Sequence, residues 1–173
     1  MKQTATYHFL LTVGLILSLA SCNTSHPDGY YRTLAHAGLR LGLDIDRNDN
    51  HKLYLNAAEW IDTPYRSGGD SREGIDCSGL THQLYRTVYH IRLPRNASAQ
   101  HNLCPHLLTR DELRPGDLLF FTTTSSGRKI AHIGIYLKEW KFIHASSQGV
   151  MVSSLLEEYY RQHWVGGGRF DRN

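Results

Sequence analysis

The sequence predicts an α+β fold in which helices come first and an antiparallel sheet follows. Apolar residues recur at helical spacing in two segments of the first half, residues 51–61 and 77–91. After residue 117, short runs of apolar, aromatic and β-branched residues are typical of strands. Helical patterns followed by strand patterns favour N-terminal helices packed on a central antiparallel sheet.

The first 21 residues are predicted to be a signal peptide and not part of the fold. Lys2 supplies a positive start, and the apolar stretch 9–20 is shorter than the about 20 residues that span a bilayer. The sequence Leu19-Ala20-Ser21-Cys22 resembles the end of a bacterial lipoprotein signal, in which the cysteine is acylated. We therefore expect lipidation at Cys22 and a membrane-anchored protein. Ordinary cleavage with an incidental Cys22 is the alternative.

The rest of the chain is predicted to form a tether and one domain. Residues 22–50 are interpreted as a lipidated tether and N-terminal arm, in which 23–29 is polar and 30–43 suits a short helix or an ordered arm. Residues 51–173 are predicted to be a single folded domain, because a mature chain of about 150 residues has enough bulk for one core.

Charge and composition exclude some classes of partner. The formal net charge is only +3, which is far from the basic asymmetry of a nucleic-acid-binding protein. Eleven histidines are scattered along the chain, and no pair shows the tight spacing with cysteines that structural zinc sites use. We therefore expect no nucleic-acid partner, no metal and no cofactor.

The two predicted helices of the domain have recognisable starts and apolar faces. Asn50 is a candidate N-cap for the first helix, and Pro64 ends it. A turn-rich loop at 63–69 follows, with two glycines that can take positive φ. The inward faces are Leu53, Ala57, Trp60 and Ile61 in the first helix, and Leu80, Leu84, Val88 and Ile91 in the second.

The second half is predicted to hold the sheet. Residues 94–105 are expected to be irregular, 113–117 a tight turn, and 122–127 a flexible loop. His132 and His144 lie on two strands predicted to form a hairpin, and they share one face if the loop has an odd number of residues. An even loop would place them on opposite faces. Strands are predicted at 118–121, 130–137, 141–145, 150–152 and 165–170.

Of the three cysteines, Cys77 has the surroundings of a nucleophile. It opens a predicted helix, where the free amide groups and the helix dipole stabilise a thiolate and an acyl oxyanion. With His132 and His144 downstream, the pattern predicts a cysteine hydrolase that uses a thiolate and imidazolium pair. The alternative for Cys77 is a disulfide with Cys104, which precedes Pro105 in a loop-like stretch.

Five groups of residues form an ordered set of motifs along the chain. They are Thr63-Pro64-Tyr65 with Gly68-Gly69, Asp76-Cys77-Ser78-Gly79, Pro115-Gly116-Asp117-Leu118, His132-Ile133-Gly134-Ile135-Tyr136 and Ile143-His144-Ala145. In their order and spacing, from about Leu53 to Phe170, these motifs together resemble the NlpC/P60 family of papain-like bacterial cysteine peptidases, which cut cell-wall peptides. The resemblance implies a papain-like α+β domain in residues 51–173.

The resemblance implies a catalytic triad. Cys77 would be the nucleophile, His132 the base that deprotonates it, and His144 the third residue that orients His132. Tyr65 corresponds to a family tyrosine near the oxyanion site. Packing of Tyr65 on its own loop is the alternative.

Three further residues are candidates for binding the substrate. Asp76 and Ser78 flank the nucleophile where the family binds its peptide, although both could serve only as caps of the helix. Arg66 suits a peptide carboxylate because of its forked guanidinium, or it simply faces water.

The resemblance implies peptidoglycan stem peptides as the substrate. The bond cut would be either D-glutamyl to diaminopimelate or the diaminopimelate to D-alanine cross-link. We expect a monomer held by lipidated Cys22 on a bacterial membrane, the outer membrane facing the periplasm. A thiol amidase or acyltransferase on another acyl substrate, a lipoprotein that binds wall fragments without cutting them, and a metal hydrolase are the alternatives.

Overall fold

A computed structural model describes residues 27–123 and 129–170. The predicted signal peptide, Cys22, the start of the tether and most of the predicted 122–127 loop lie outside the described residues. The helices are α1 (Pro27–Leu41), α2 (His51–Trp60), α3 (Cys77–Tyr89), α4 (Ala97–Asn102) and α5 (Glu158–His163). The strands are β1 (Asp70–Ser71), β2 (Gly74–Ile75), β3 (Leu118–Thr122), β4 (Ile130–Tyr136), β5 (Lys141–Ser146), β6 (Gly149–Ser154) and β7 (Trp164–Gly168).

The predicted arm is a regular helix. α1 is 15 residues long and begins at Pro27, which suits the first position of a helix because its fixed φ is already helical. The predicted tether is therefore wrong for residues 27–29, which already belong to α1. Leu34, Ala37 and Leu41 are buried at spacings of three and four and pack α1 onto the domain. None of the helices within the described ranges is long and apolar enough to cross a bilayer.

Side-chain caps fix where α2 and α3 begin. Asn50 caps α2 by accepting a hydrogen bond from the Leu53 backbone amide at 3.1 Å, as its position in the sequence predicts. Asp76 caps α3 in the same way, because its carboxylate accepts from the Gly79 amide at 2.6 Å. α3 ends one residue before His90, which takes the left-handed conformation of a helix terminus with φ 60°.

The five longer strands form one antiparallel sheet in the order β6-β5-β4-β3-β7. β4 and β5 pair Ile135 with Ile143 and Tyr136 with Phe142. The pairing continues one step further, because the Leu137 amide donates to the Lys141 carbonyl, so the loop proper is the three residues 138–140. Because this loop is odd, His132 and His144 share one face, as the parity argument requires.

The sheet separates two groups of buried side chains. On one face, α3 packs Leu80, Leu84 and Tyr85, all fully buried, into the main core. The other face carries a smaller, aromatic-rich cluster that includes Phe121 and Phe142. Each fully buried side chain of this size contributes about 1.5–3 kcal/mol to folding. The observed architecture confirms the predicted α+β class.

Four short elements, β1, β2, α4 and α5, were not predicted from the sequence. β1 and β2 form a small hairpin inside the stretch between α2 and α3. α4 lies within residues 94–105, which were expected to be irregular, and it begins at an Asn96 cap. α5 precedes the last strand. Elements of two to six residues are too short to show a periodic pattern, so tertiary contacts decide them.

Candidate active site

Cys77 occupies the first turn of α3, where three backbone amides surround its sulfur. Hydrogen bonds from the amides of Ile133, Ser78 and Cys77 itself lower the pKa of the thiol. Burial opposes them more strongly, and the neighbouring Asp76 carboxylate adds to the opposition, so the pKa of Cys77 is raised above its ordinary value. Stabilisation of an oxyanion beside the sulfur by the amides of this helix turn remains a prediction.

His132 and His144 are in direct contact, as the register predicts. His132 Nε2 lies 2.8 Å from His144 Nδ1, and the two rings meet edge to face. His132 also directly precedes Ile133, whose amide bonds the Cys77 sulfur. Since Nε2 of His132 is engaged by His144, Nδ1 is the nitrogen that can accept the proton of Cys77.

Burial disfavours the charged form of both histidines. It lowers the pKa of His132 to about 4 because the imidazolium loses its hydration. Burial and the charge of His132 lower the pKa of His144 to about 3. With the pKa of the Cys77 thiol raised, these shifts oppose a resting thiolate and imidazolium pair, which remains a prediction.

Tyr65 lies close enough to Cys77 for their charges to interact. Burial, followed by the Cys77 and Asp76 charges, raises the pKa of Tyr65, and the side chain is 43% exposed. The backbone of Tyr65 forms a parallel bridge to Ile75, directly before the Asp76-Cys77 pair. Tyr65 thus stands at the solvent side of the nucleophile as a neutral phenol, and its predicted place near the oxyanion remains a prediction.

Asp76 is surrounded by donors. Its carboxylate accepts from the backbone amides of Gly68 at 2.8 Å and Gly79 at 2.6 Å, and from the Ser78 hydroxyl at 2.9 Å. Arg95 adds an ion pair at 3.3 Å. These contacts give Asp76 the capping role that was the alternative to substrate binding. Its role in binding the substrate remains a prediction.

The remaining predicted binding residues differ in accessibility. Ser78 is 5% exposed and its hydroxyl donates to Asp76. Arg66 is exposed, and its side chain runs along Gly74, where an added Cβ would lie 2.6 Å from the Arg66 Cβ. Arg66 is therefore the more accessible of the two to a substrate, and both roles remain predictions.

Cys104 is separate from this group. Cys77 and Cys104 are both free thiols, so the alternative disulfide is not formed. Cys104 is buried beside Gly168 and points at the Gln100 carbonyl at 3.7 Å. Burial raises the pKa of Cys104 to about 11, which leaves it an inert thiol.

Comparison with known proteins identifies the domain that carries this site. The model of the NlpC/P60 family matches residues 62–169, which include Tyr65, Cys77 and both histidines. The chain belongs to the NlpC/P60 family. The resemblance inferred from the motifs is thereby confirmed, and the chain is a peptidase.

Relatives and solved structures of the family agree with this placement. The murein DD-endopeptidase MepS/murein LD-carboxypeptidase of Escherichia coli K12 is 32% identical over 165 residues, covering 89% of this chain and 86% of the relative. The probable endopeptidase NlpC of the same organism is 44% identical over 106 residues, covering 61% and 68%. A lipoprotein-like NLP/P60 structure from Staphylococcus aureus matches with a TM-score of 0.64 and 30% identity, covering 75% of this chain and 44% of that one.

The NlpC/P60 domain contains three polar residues at the site that sequence reasoning missed. Ser153 and Tyr160 contact the far side of His144, at 3.0 Å and 3.2 Å from its Nε2. Arg95 pairs with both Asp70 and Asp76 and donates to the Gly69 carbonyl at 2.8 Å. No sequence motif marks these residues, because each reaches the site from a separate element through long-range packing.

Proposed function

We propose that this NlpC/P60 peptidase hydrolyses peptide bonds of peptidoglycan through Cys77, His132 and His144. Two contacts carry the proposal: the backbone amide of Ile133, the residue after His132, bonds the Cys77 sulfur, and His132 Nε2 lies 2.8 Å from His144 Nδ1. Relatives from Escherichia coli carry the name murein DD-endopeptidase, which supports the substrate class.

The geometry supports a two-step mechanism. His132 Nδ1 takes the proton of Cys77 as the sulfur attacks the carbonyl carbon, and a tetrahedral oxyanion forms. The Cys77 amide and the Tyr65 hydroxyl are the proposed donors to this oxyanion, each worth about 3 kcal/mol of barrier. His132 then protonates the leaving amine. Water, deprotonated by His132, hydrolyses the resulting thioester and restores the thiol.

His144 acts on His132 rather than on the substrate. A neutral imidazole stabilises an imidazolium less than a carboxylate does, but it fixes the ring orientation and the tautomer. Its 1% exposure keeps water from competing for His132 Nε2. Because all three residues belong to one chain, we propose that the protein works as a monomer.

The bond between diaminopimelate and the cross-linking D-alanine is the favoured target. The relative that matches 89% of the chain is named as a DD-endopeptidase, whereas the relative named as a DL-endopeptidase, from Bacillus subtilis, matches 65%. The D-glutamyl to diaminopimelate bond is the second candidate. The two bonds differ in the stem fragments that they release.

We also propose that a lipid on Cys22 holds the enzyme at the outer membrane, facing the periplasm. The support is the sequence of residues 1–22, with its apolar stretch and the Leu19-Ala20-Ser21-Cys22 ending. A tether of this kind raises the local concentration of the enzyme at the wall without a separate binding domain.

Digestion of purified muropeptides tests the proposal. The chain from residue 23 onward is incubated with cross-linked and uncross-linked muropeptides, and the products are identified by mass spectrometry. Release of monomers from cross-linked dimers identifies the cross-link bond, and loss of stem fragments from monomers identifies the glutamyl bond. If the parent protein leaves the muropeptides uncleaved, the proposal is contradicted. Another acyl substrate or a binding role would then be favoured.

A further inference from the structure

His144 is held from behind by two hydroxyl groups. Its Nε2 lies 3.0 Å from the Ser153 hydroxyl oxygen and 3.2 Å from the Tyr160 hydroxyl oxygen. The Ser153 hydroxyl in turn donates to Tyr160 at 3.5 Å. Ser153 comes from β6 and Tyr160 from α5, so neither neighbours His144 in sequence.

The surroundings make this arrangement rigid and dry. His144 is 1% exposed and Ser153 is 5% exposed. The Tyr160 ring packs edge to face on His144 and on Phe142, with ring centroids 5.4 Å and 4.9 Å apart. A buried imidazole N–H in such a place must find a protein acceptor, because an unsatisfied one costs about 1–3 kcal/mol.

The direction of the hydrogen bonds follows from what Cys77 needs. For His132 Nδ1 to be a base, neutral His132 must carry its proton on Nε2 and donate it to His144 Nδ1. Neutral His144 then carries its own proton on Nε2, which faces the two hydroxyl oxygens. The opposite tautomer of His144 would donate to His132 Nε2 and move the His132 proton onto Nδ1, which abolishes the base.

We propose that Ser153 and Tyr160 are positioning residues that select the Nε2–H tautomer of His144 and thereby make His132 Nδ1 the base for Cys77. The chain of donors runs from His132 to His144, then to Ser153, then to Tyr160. This inference rests on the proposed function only in taking Cys77 as the nucleophile. It does not depend on which acyl substrate is cut.

Three substitutions and one matched control separate this role from a structural one. Tyr160→Phe removes a single hydroxyl, Ser153→Ala removes the other, and Ser153→Thr restores a hydroxyl at that position. Tyr136→Phe is the control, since Tyr136 belongs to the same aromatic cluster but its hydroxyl accepts from the Trp140 amide at 3.4 Å. Near-UV circular dichroism verifies that each variant keeps its tertiary packing.

The first measurement is the nitrogen NMR spectrum of histidine-labelled protein, with His132 and His144 assigned by single replacements. In the parent we expect unprotonated Nδ1 and protonated Nε2 in both rings. Ser153→Ala combined with Tyr160→Phe should give mixed tautomers in both rings, while Ser153→Thr and Tyr136→Phe should retain the parent pattern. A parent spectrum with the opposite tautomer, or an unchanged double variant, would overturn the proposal.

The second measurement is the rate at which iodoacetamide alkylates Cys77, mapped by mass spectrometry so that Cys104 does not contribute. Because only the base-competent tautomer assists the thiol, the double variant should react more slowly in proportion to the competent fraction that it loses, by about twofold or more when the tautomers are evenly mixed. Ser153→Thr should recover most of the rate. Equal rates in the parent and the double variant would also overturn the proposal.

These readouts need no peptidoglycan, so they fail independently of the proposed function. A parent that shows the expected tautomers and alkylation but cleaves no muropeptide would contradict the substrate and support the positioning role. A parent that cleaves muropeptides, with no change of tautomer or alkylation in the double variant, would support the substrate and contradict the positioning role.

Discussion

At the scale of single residues, burial acts on the two titratable groups that exchange the proton in the proposed mechanism, Cys77 and His132. Burial raises the pKa of Cys77 and lowers the pKa of His132 to about 4. These shifts favour the neutral form of each group at neutral pH before substrate binds. Cys77 and His132 together therefore keep the same number of protons over a wide range of pH. This number does not depend on whether the sulfur or the imidazole holds the shared proton during attack.

This pairing predicts an unusually broad pH profile of kcat/KM. As the pH falls through about 4, His132 gains a proton and can no longer accept one from Cys77, so kcat/KM should fall there. Between pH 5 and 8 it should stay level. The measurement uses a peptide substrate without groups that titrate in this range, with circular dichroism at each pH. An acid limb near pH 6.5, the ordinary value of histidine, would contradict the prediction.

The Asp76 carboxylate should hold the thiol pKa up. Its charge disfavours the thiolate of Cys77, while its oxygen caps α3. Asp76→Asn keeps an oxygen for the cap and removes the charge. The pH at which iodoacetamide alkylates Cys77 at half its maximal rate should therefore move downward. Asp76→Ala also removes the cap, and urea unfolding should show a loss of about 1–2 kcal/mol. An unmoved alkylation midpoint in Asp76→Asn would refute the charge effect.

At the scale of elements, the site depends on how closely β4 and β5 approach each other. Gly134 on β4 lies opposite the His144 region of β5. A Cβ added there would lie 2.7 Å from the Phe142 ring, 2.9 Å from the Ile143 carbonyl and 3.2 Å from the His144 Cβ. The glycine thus leaves the space that allows His144 to reach His132.

Gly134→Ala should therefore displace His144. We expect a loss of about 1–3 kcal/mol in unfolding free energy, the usual cost of overpacking. We also expect kcat/KM to fall by more than the decrease in the folded fraction of the protein accounts for. Gly29→Ala is the matched control, because nothing lies within 4 Å of its added Cβ, and it should leave both quantities nearly unchanged. Parent-like activity of Gly134→Ala would show that the spacing is not needed.

The longer elements were predictable from the sequence, and the short ones were not. α2, α3 and the five main strands have periodic apolar patterns that survive in the fold. α4 instead depends on contacts distant in sequence, since Gln100 donates to the Ser78 carbonyl and accepts from the Thr81 hydroxyl. The sequence predicts the candidate triad because its residues stand in specific motifs, whereas Ser153 and Tyr160 come next to His144 only when β6 and α5 fold against it.

At the scale of the whole molecule, a buried ion pair joins the C-terminal end of the chain to the sheet. Asp117, which precedes β3, has a fully buried side chain. Arg169 follows β7 and donates to both carboxylate oxygens, from Nε at 3.0 Å and from a terminal nitrogen at 2.7 Å. The Arg114 amide adds a third bond at 2.7 Å. The pair fixes β7 beside β3.

Breaking this pair should destabilise the whole domain. Arg169→Ala removes the Arg169 cation from the buried Asp117 carboxylate, and we expect a loss of about 3–5 kcal/mol in urea unfolding. Adding Asp117→Asn to Arg169→Ala should recover part of that loss, because the remaining group is then neutral. A double variant less stable than Arg169→Ala alone would mean that Asp117 stabilises the fold chiefly through other contacts.

Cys77 and Cys104, the two cysteines in the part of the chain that the structure describes, allow the most direct test of the account, which is that Cys77 is the nucleophile of a peptidoglycan peptidase. The rate of muropeptide cleavage is measured for the parent, Cys77→Ala and Cys104→Ala. We expect Cys77→Ala to lose roughly 10⁴-fold or more, as removal of a nucleophile does. Cys104→Ala should retain nearly the parent rate. Cleavage by Cys77→Ala at the parent rate would contradict the account.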